Sequence, residues 1–394
     1  MTLNYLNLII KMKILLIHTY YQQSGGEDTV FQQEYSLLAE DNIVEKVSFQ
    51  NKKGLKGMIQ FLFSIWNIYA AIKVRKKIKL FQPDIIHLHN WHYASGPLII
   101  RTIKKKKIPL IITLHNYRLI CPSGILMHKG IIYKKSINKS FPYQAIKDKV
   151  FRDSLFQTFW VAFIVWFHKI LGTWNMPQKY IVLTEFAKKL FTESYIGIDK
   201  DRFIIKPNFS ENPLLECNLK KSDFLFIGRI SEEKGIRCLL EAFKKVHYTI
   251  KIGGDGPLVN EVILAGKEHP NIQYLGKLEK ALVVYYMQNS SILVFPSIWY
   301  EGMPMTIIEA LALGTPVLAS NLGAMPSMIE DQFNGLLFET NNPKDLVKKL
   351  KEWESISSEK KREFYLNSRD SYLNKYTPEI NKKILLNIYS NSIK

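Results

Sequence analysis

Twelve short, mostly apolar runs alternate with longer stretches of helical spacing, and this rhythm constrains the fold more than any other feature of the chain. In the first half the runs fall at 12–18, 43–49, 84–89, 109–115, 179–184 and 203–207. In the second half they fall at 223–230, 249–253, 272–275, 291–296, 316–320 and 335–338. A run such as Ser291-Ile292-Leu293-Val294-Phe295 lacks the polar alternation of a half-solvated strand, so it suits a sheet buried on both faces. Parallel strands of this kind need helical crossovers, and two successive sets predict an α/β chain of two doubly wound units.

The two sets part at 207–223, where Pro207, Pro213 and the polar Lys220-Lys221-Ser222 interrupt the rhythm. The expected domains are 1–210 and 211–375, with a C-terminal helix at about 376–394 packing back on the first. A length of 394 residues accommodates that division. Two such units facing each other leave a cleft at the carboxyl ends of their strands, where ligands bind.

With 47% hydrophobic and 12% aromatic residues the chain has ample core, which excludes disordered and collagen-like readings. Cys121, Cys217 and Cys238 form no Cys-x-x-Cys pair, so neither a disulfide framework nor a thiolate zinc site is expected, and a reducing cytoplasm is. The net charge of +19 is local: residues 51–150 hold 20 basic and 2 acidic side chains. Such a surface attracts nucleic acid or an anionic membrane, and the membrane is expected because no nucleic-acid-binding motif accompanies the charge.

Residues 3–10 are too short an apolar stretch, and too poor in flanking signals, for a signal peptide, so 1–11 reads as a dispensable tail. Residues 155–167 fall short of the roughly 20 that a spanning helix needs, and read as a buried or interfacial helix. In 54–78, Met58, Phe61, Leu62, Ile65, Tyr69 and Ile72 recur at helical spacing, which fits packing against the sheet as well as membrane contact; Phe63, Trp66 and Arg75-Lys76-Lys77 add apolar bulk and charge together and favour docking at a membrane interface. The expected location is thus cytoplasmic, peripheral to the inner membrane face.

The chemistry concentrates in residues 295–310. A buried strand ends at Pro296, a loop carries Glu301-Gly302-Met303, and Pro304 stands where a helix's first turn favours a fixed φ. The amides around Met303, Pro304, Met305 and Thr306 then face the cleft as an anion site, with Glu309 one turn further in. Carboxylates there can accept hydrogen bonds from vicinal hydroxyls. Gly228-Arg229 and Lys234 place a guanidinium and an ammonium at another strand's carboxyl end, within reach of a diphosphate. With the Gly314-Thr315-Pro316 turn, these residues specify a phosphate-plus-polyol ligand such as a nucleotide sugar.

The ordered set Gly25-Gly26-Glu27, His115, Gly228-Arg229 with Lys234, Gly253-Gly254-Asp255-Gly256-Pro257, and Glu301 with Glu309 resembles family 4 retaining glycosyltransferases of the GT-B fold. The resemblance implies an acceptor-binding first domain and a donor-binding second. It implies that Arg229 and Lys234 hold the donor diphosphate in place of a metal, so no metal or other cofactor is expected. Glu309 would hold the ribose, and Glu301 with the loop around Gly302 the sugar hydroxyls. Gly25 and Gly26 would approach from the opposite domain, and His115 would act with Glu301 at the reacting centre.

Two departures stand out. Asn116 follows His115 where the family often has an acid, and Gly323-Ala324-Met325-Pro326-Ser327 replaces the usual Gly-Gly-x-Pro-Glu turn. Cys121-Pro122-Ser123-Gly124 and the apolar helix near 155–171 resemble enzymes that build bacterial surface polysaccharides, which implies a lipid-linked or oligosaccharide acceptor. His87, His89, Asn90, Asn116 and Arg118 are the acceptor-side candidates. His87, His89 and His92 lack a fourth ligand in register for zinc, and Asp199-Lys200-Asp201 reads as a turn. No nucleotide-binding G-x-G-x-x-G or P-loop is present. A nucleotide-sugar epimerase or a catalytically silent binding protein on the same fold are the alternatives.

Overall fold

The computed structural model describes residues 11–22, 25–213 and 222–393. Residues 1–10 of the expected tail, Cys217, and Lys220-Lys221 of the expected linker lie outside them. Strands β1 (Lys13–Tyr20), β2 (Ile43–Gln50), β3 (Ile85–Leu88) and β4 (Leu110–Leu114) begin the first sheet. A small hairpin of β5 (Met127–His128) and β6 (Ile131–Ile132) follows, and β7 (Lys179–Val182) with β8 (Phe203–Ile205) completes the sheet. The second sheet holds β9 (Ser222–Ile227), β10 (Ile250–Gly253), β11 (Ile272–Gly276), β12 (Ser290–Phe295), β13 (Val317–Ser320) and β14 (Gly335–Phe338).

Both six-stranded sheets are parallel, in the orders β2-β1-β3-β4-β7-β8 and β11-β10-β9-β12-β13-β14. The chain therefore reverses its direction of travel beside β1 and β3 in one sheet, and beside β9 and β12 in the other. Loops leaving such neighbouring strands diverge to opposite faces and open a crevice. The glycine pair at 25–26 follows β1, His89 and Asn90 follow β3, the Arg229 loop follows β9, and the Glu301 loop follows β12.

Because successive strand side chains point to opposite faces, the continuous apolar runs feed two cores each. On one face of the first sheet Ile14, Leu16, Ile85, Ile111 and Ile181 pack with Phe31 and Leu38, and with Leu385, Ile388 and Tyr389 of the C-terminal helix Pro378–Ile393. Leu15, Ile17, Ile86, Leu88 and Ile112 fill the opposite face. In the second sheet Phe224, Phe226, Ile292 and Val294 face one way, Leu225, Leu293 and Val317 the other. Truncating one of these fully buried side chains to Ala costs about 2–5 kcal/mol, so the frame that aims the loops is stiff.

The 54–78 pattern is not one helix. Asn67 accepts a hydrogen bond from the Ala70 amide at 2.9 Å and starts a new helix, so Gly54–Trp66 and Ile68–Phe81 meet at a 70° bend. The bend buries Phe61, Val74 and Ile78 while Met58, Phe63, Trp66, Tyr69 and Ile72 stay exposed, which splits the expected apolar strip. The helix Leu155–Ile170 lies alongside, Trp66 and Phe167 touching at 6.2 Å between ring centroids. It buries Val161, Ala162 and Ile164 and exposes Leu155, Phe156 and Phe159. Among the described residues no single helix is long and apolar enough to cross a membrane, though the bent pair passes that test together. Asp199 caps the short turn Lys200–Arg202, as expected. Gly314-Thr315-Pro316 precedes β13, at the end of the sheet away from the loops, and so does not join the proposed ligand set.

A candidate active site between the two lobes

The second lobe builds two adjoining cavities. Past β9 the chain turns through Gly228-Arg229, and the turn after β10 packs directly on it: the Gly228 amide donates to Gly253 O at 3.1 Å and the Ile230 amide to Asp255 O at 2.9 Å. Gly254, at φ +148°, is required there, since a Cβ would stand 1.8 Å from Gly228 O. This doubled turn holds Gly228 and Arg229 against Lys234, Ser297 and Thr306 around a cavity of about 410 Å³. Arg229 is largely exposed, 3.7 Å from Glu233. Lys234 extends its ammonium to Glu301 at 2.6 Å, between the rings of Phe295 and Trp299. The Ser297 hydroxyl donates to the same Glu301 oxygen at 2.8 Å.

Pro304 caps the helix Met305–Ala312, whose first amides lack intrahelical acceptors and carry the positive end of its dipole. Thr306 in that first turn reaches the cavity with the two cations. Glu309, one turn on, lines a second cavity of about 1050 Å³ with Leu278, Val283, Met287 and Lys280. Burial pushes its carboxyl above the usual range, and Lys280 pulls it partly back. Ile227 lines both cavities, so the cations and Glu309 border adjoining spaces.

The first lobe meets this loop closely. A Cβ on Gly302 would stand 2.7 Å from His115 O, so only glycine permits the approach. Tyr117 donates its hydroxyl to Glu301 O at 3.3 Å, and the Asn208 side chain donates to Met303 O at 3.4 Å. Gly26 lies across from the helix start, where a Cβ would be 3.9 Å from the Met305 side chain. His115, His89, Asn90, Asn116 and Arg118 line a cavity of about 300 Å³. Burial holds the His115 ring down to about 3, with Glu34 opposing and His18 and Lys206 adding to the shift, so the ring is neutral at physiological pH.

Two family models cover most of the chain: residues 18–209 match Glycosyltransferase Family 4 and residues 213–371 match Glycosyl transferases group 1. The chain belongs to glycosyltransferase family 4, with the GT-B fold. It is 26% identical over 360 residues to an uncharacterized glycosyltransferase of Methanocaldococcus jannaschii, covering 87% of this chain and 89% of that one. It is 25% identical to the alpha-monoglucosyldiacylglycerol synthase of Acholeplasma laidlawii, over 76% of this chain and 72% of that one. The crystal structure of Anabaena HepE in complex with UDP shares the fold, with a TM-score of 0.66 and 16% identity over 96% of this chain and 100% of that one.

In this glycosyltransferase the sequence-expected residues do not all reach the cleft. His87 does not line it: wholly buried, its ring nitrogens are taken by Tyr389 at 2.7 Å and Thr113 at 2.7 Å, because it sits one strand repeat below His89. His89 is the member that reaches His115, at 3.2 Å. Beneath them Glu34 approaches His87 at 3.9 Å, His89 at 3.4 Å and the Lys206 ammonium at 2.5 Å. Lys206 thus already supplies the cation for this carboxylate.

Sequence reasoning gave no role to Glu27, Ser297, Glu34 or Lys206. Glu27 directly follows the glycine pair and neighbours Tyr21, Asn116 and Arg118; burial and then Asp28 push its carboxyl up to about 8. The acid behind the glycines was the available signal. Nothing local marks Glu34 or Lys206, which lie 172 residues apart in sequence.

Proposed function

We propose that this glycosyltransferase moves a sugar from a nucleoside diphosphate donor to a lipid-linked or oligosaccharide acceptor, with retention of anomeric configuration and without a metal ion, in cell-surface polysaccharide or glycolipid synthesis. One observation carries the reading: Arg229, Lys234 and the first turn of the Met305 helix border one cavity, which adjoins at Ile227 the cavity of Glu309. The pairing suits a diphosphate in the first and a ribose in the second. As the bond from the anomeric carbon to the diphosphate breaks, negative charge grows on the phosphate beside the two cations and the helix amides. Their fixed positions supply charge stabilisation that would otherwise fall to a metal.

Glu301 orients Lys234 and offers its second oxygen to donor hydroxyls. Neutral His115 offers a hydrogen bond rather than a charge where donor and acceptor meet. Asn116 stands where relatives often carry an acid, so the acceptor hydroxyl is positioned here by neutral groups. The names of the Acholeplasma alpha-monoglucosyldiacylglycerol synthase and of HepE in complex with UDP support both ends of this reading.

The basic first lobe, with Phe63, Trp66, Tyr69 and Phe156 exposed on adjacent helices, supports docking on an anionic membrane. A donor panel read by thermal shift tests the function, since ligand binding raises stability by mass action. A nucleotide-sugar response that persists unchanged in Glu309→Ala removes the site assignment. Product analysis with donor alone, giving a changed free sugar and no acceptor requirement, would convert the reading to an epimerase. Docking predicts that vesicle binding weakens with salt and with removal of anionic lipid.

A further inference from the structure

Glu34, His89 and His115 stand in line from the buried polar layer to the cleft. His115 lines the acceptor-side cavity and is only partly buried. Its Nε2 lies 3.2 Å from His89 Nδ1. The two rings are 21° from parallel with centroids 5.4 Å apart, close to the longest separation a 3.2 Å contact allows, so they meet edge to edge and not face to face. This is the geometry of a hydrogen bond between ring nitrogens, and one of the two must carry the proton.

At the inner end, His89 Nε2 and Glu34 Oε2 are each buried without a hydrogen-bond partner, and they stand 3.4 Å apart. A single bond between them satisfies both. The other Glu34 oxygen is committed: the Lys206 ammonium reaches it at 2.5 Å and gives its remaining protons to Asn381 Oδ1 at 3.2 Å and Pro207 O at 3.4 Å. His87 does not compete, because its Nδ1 is 3.9 Å from Glu34 and is held by Tyr389 at 2.7 Å. Burial works against charge on Glu34, but Lys206 and His87 hold its carboxyl below the usual range, so it is a carboxylate that can only accept. Burial, then the neighbouring His115, keeps the His89 ring neutral, with a single proton to place.

We propose that Glu34 and His89 are positioning residues that fix the tautomer of His115: Glu34 accepts from His89 Nε2–H, the bare His89 Nδ1 accepts from His115 Nε2–H, and His115 is left with a bare Nδ1. The hydrogen bond that one ring nitrogen makes decides where the proton sits on the other. The opposite arrangement would turn the His89 lone pair against the carboxylate and strand both buried atoms. With Nδ1 bare, His115 can accept but not donate there, so its partner in the cleft is an O–H, such as a sugar hydroxyl, and not a carboxylate or phosphate oxygen. The proposal rests on the reading that places His115 where donor and acceptor meet.

The test is nitrogen-15 NMR of the full chain carrying labelled histidine, in which protonated and bare ring nitrogens resonate apart. Comparison with His115→Gln and His89→Gln identifies the two rings among the nine histidines. In the wild type, Nε2 is expected to carry the proton on both. In Glu34→Gln the Lys206 ammonium retains the side-chain oxygen and the amide NH₂ turns to His89 Nε2, so both rings should move their proton to Nδ1. Turnover of the donor with the largest thermal shift should then fall about 10- to 100-fold, as loss of one hydrogen bond to a reacting partner implies, while binding of its nucleoside diphosphate to the second lobe is unchanged. A role confined to packing would lower the melting point of Glu34→Gln and leave the protonated nitrogens as they were, and that outcome overturns the proposal. A wild-type His115 with its proton on Nδ1 overturns it without recourse to any variant. Exchanged nitrogens with undiminished turnover uphold the relay and strike instead the placement of His115 at the reacting centre.

Discussion

Replacing Lys234 with Ala should separate the structural and chemical roles of the cation that joins the two loops. In the folded protein its ammonium lies 2.6 Å from Glu301, whose side chain is only 7% exposed. Without it the carboxylate keeps a single hydroxyl donor, Ser297 at 2.8 Å. Losing a charge-assisted hydrogen bond costs about 1.5–3 kcal/mol. The larger cost of breaking a fully buried pair, about 3–5 kcal/mol, is not reached because water can enter where the lysine was 20% exposed. A loss of about 2 kcal/mol lowers the melting point of a lobe this size by about 4–8 °C.

Adding Glu301→Gln removes the unpaired charge, so the double variant should regain most of that melting point, a coupling of about 1–2 kcal/mol. Turnover should not return with it. The departing diphosphate still lacks its ammonium, and loss of one fixed electrostatic donor costs about 10²–10³ in rate. Calorimetry gives the first quantity, and release of nucleoside diphosphate from the donor with the largest thermal shift gives the second. Recovery of turnover together with stability would reduce Lys234 to a scaffold residue and refute the assignment of leaving-group charge to it.

Glu309→Ala should weaken donor binding by about 1.5–3 kcal/mol, roughly 10- to 150-fold, with little change in turnover at saturation, measured by titration with the nucleoside diphosphate. His115→Gln should retain more turnover than His115→Ala, because the neutral ring at this position is needed as a hydrogen-bonding group; equal losses would show that its bulk matters instead. Glu27 has its folded value raised from 4.5 to about 8, so the unfolded chain ionises first and stability is lost as pH rises between them. Glu27→Gln should therefore match wild type in melting point near pH 4.5 and exceed it by a margin that grows toward pH 8. Lys206→Met should cost about 3–5 kcal/mol by stranding buried Glu34, and Glu34→Gln in the same chain should recover part of it, read from denaturant midpoints.

The fold was legible because its information is local. A strand buried on both faces must be apolar at consecutive positions, and β1 or β12 shows this without reference to any partner. The donor side was legible for the same reason, since Lys234 lies five residues after Arg229 and the helix start at Pro304 is written in one loop. The helical spacing of 54–78 was legible but the break within it was not, because a single capping side chain, Asn67, starts a second helix and the chain turns through 70° there. His87 failed for a subtler reason: it shares a face with His89, as alternation requires, but that face continues under the C-terminal helix, where Tyr389 covers it.

What local reading could not reach is the polar layer beneath the cleft. Glu34 comes from the helix after β1, His87 and His89 from β3, Lys206 from the end of β8 just before the crossing to the second lobe, and Asn381, which accepts from Lys206 at 3.2 Å, from the C-terminal helix. Each alone is an ordinary surface residue type; only the topology buries them together. The consequence for function is specific. The ammonium that fixes Glu34 under His89 belongs to the residue that precedes Pro207 and Asn208, and Asn208 in turn holds Met303 of the donor loop. The support of the His115 ring and the strap between the lobes are therefore one connected structure, so a change at Lys206 should be felt in the relative placement of His115 and Glu301 as well as in stability.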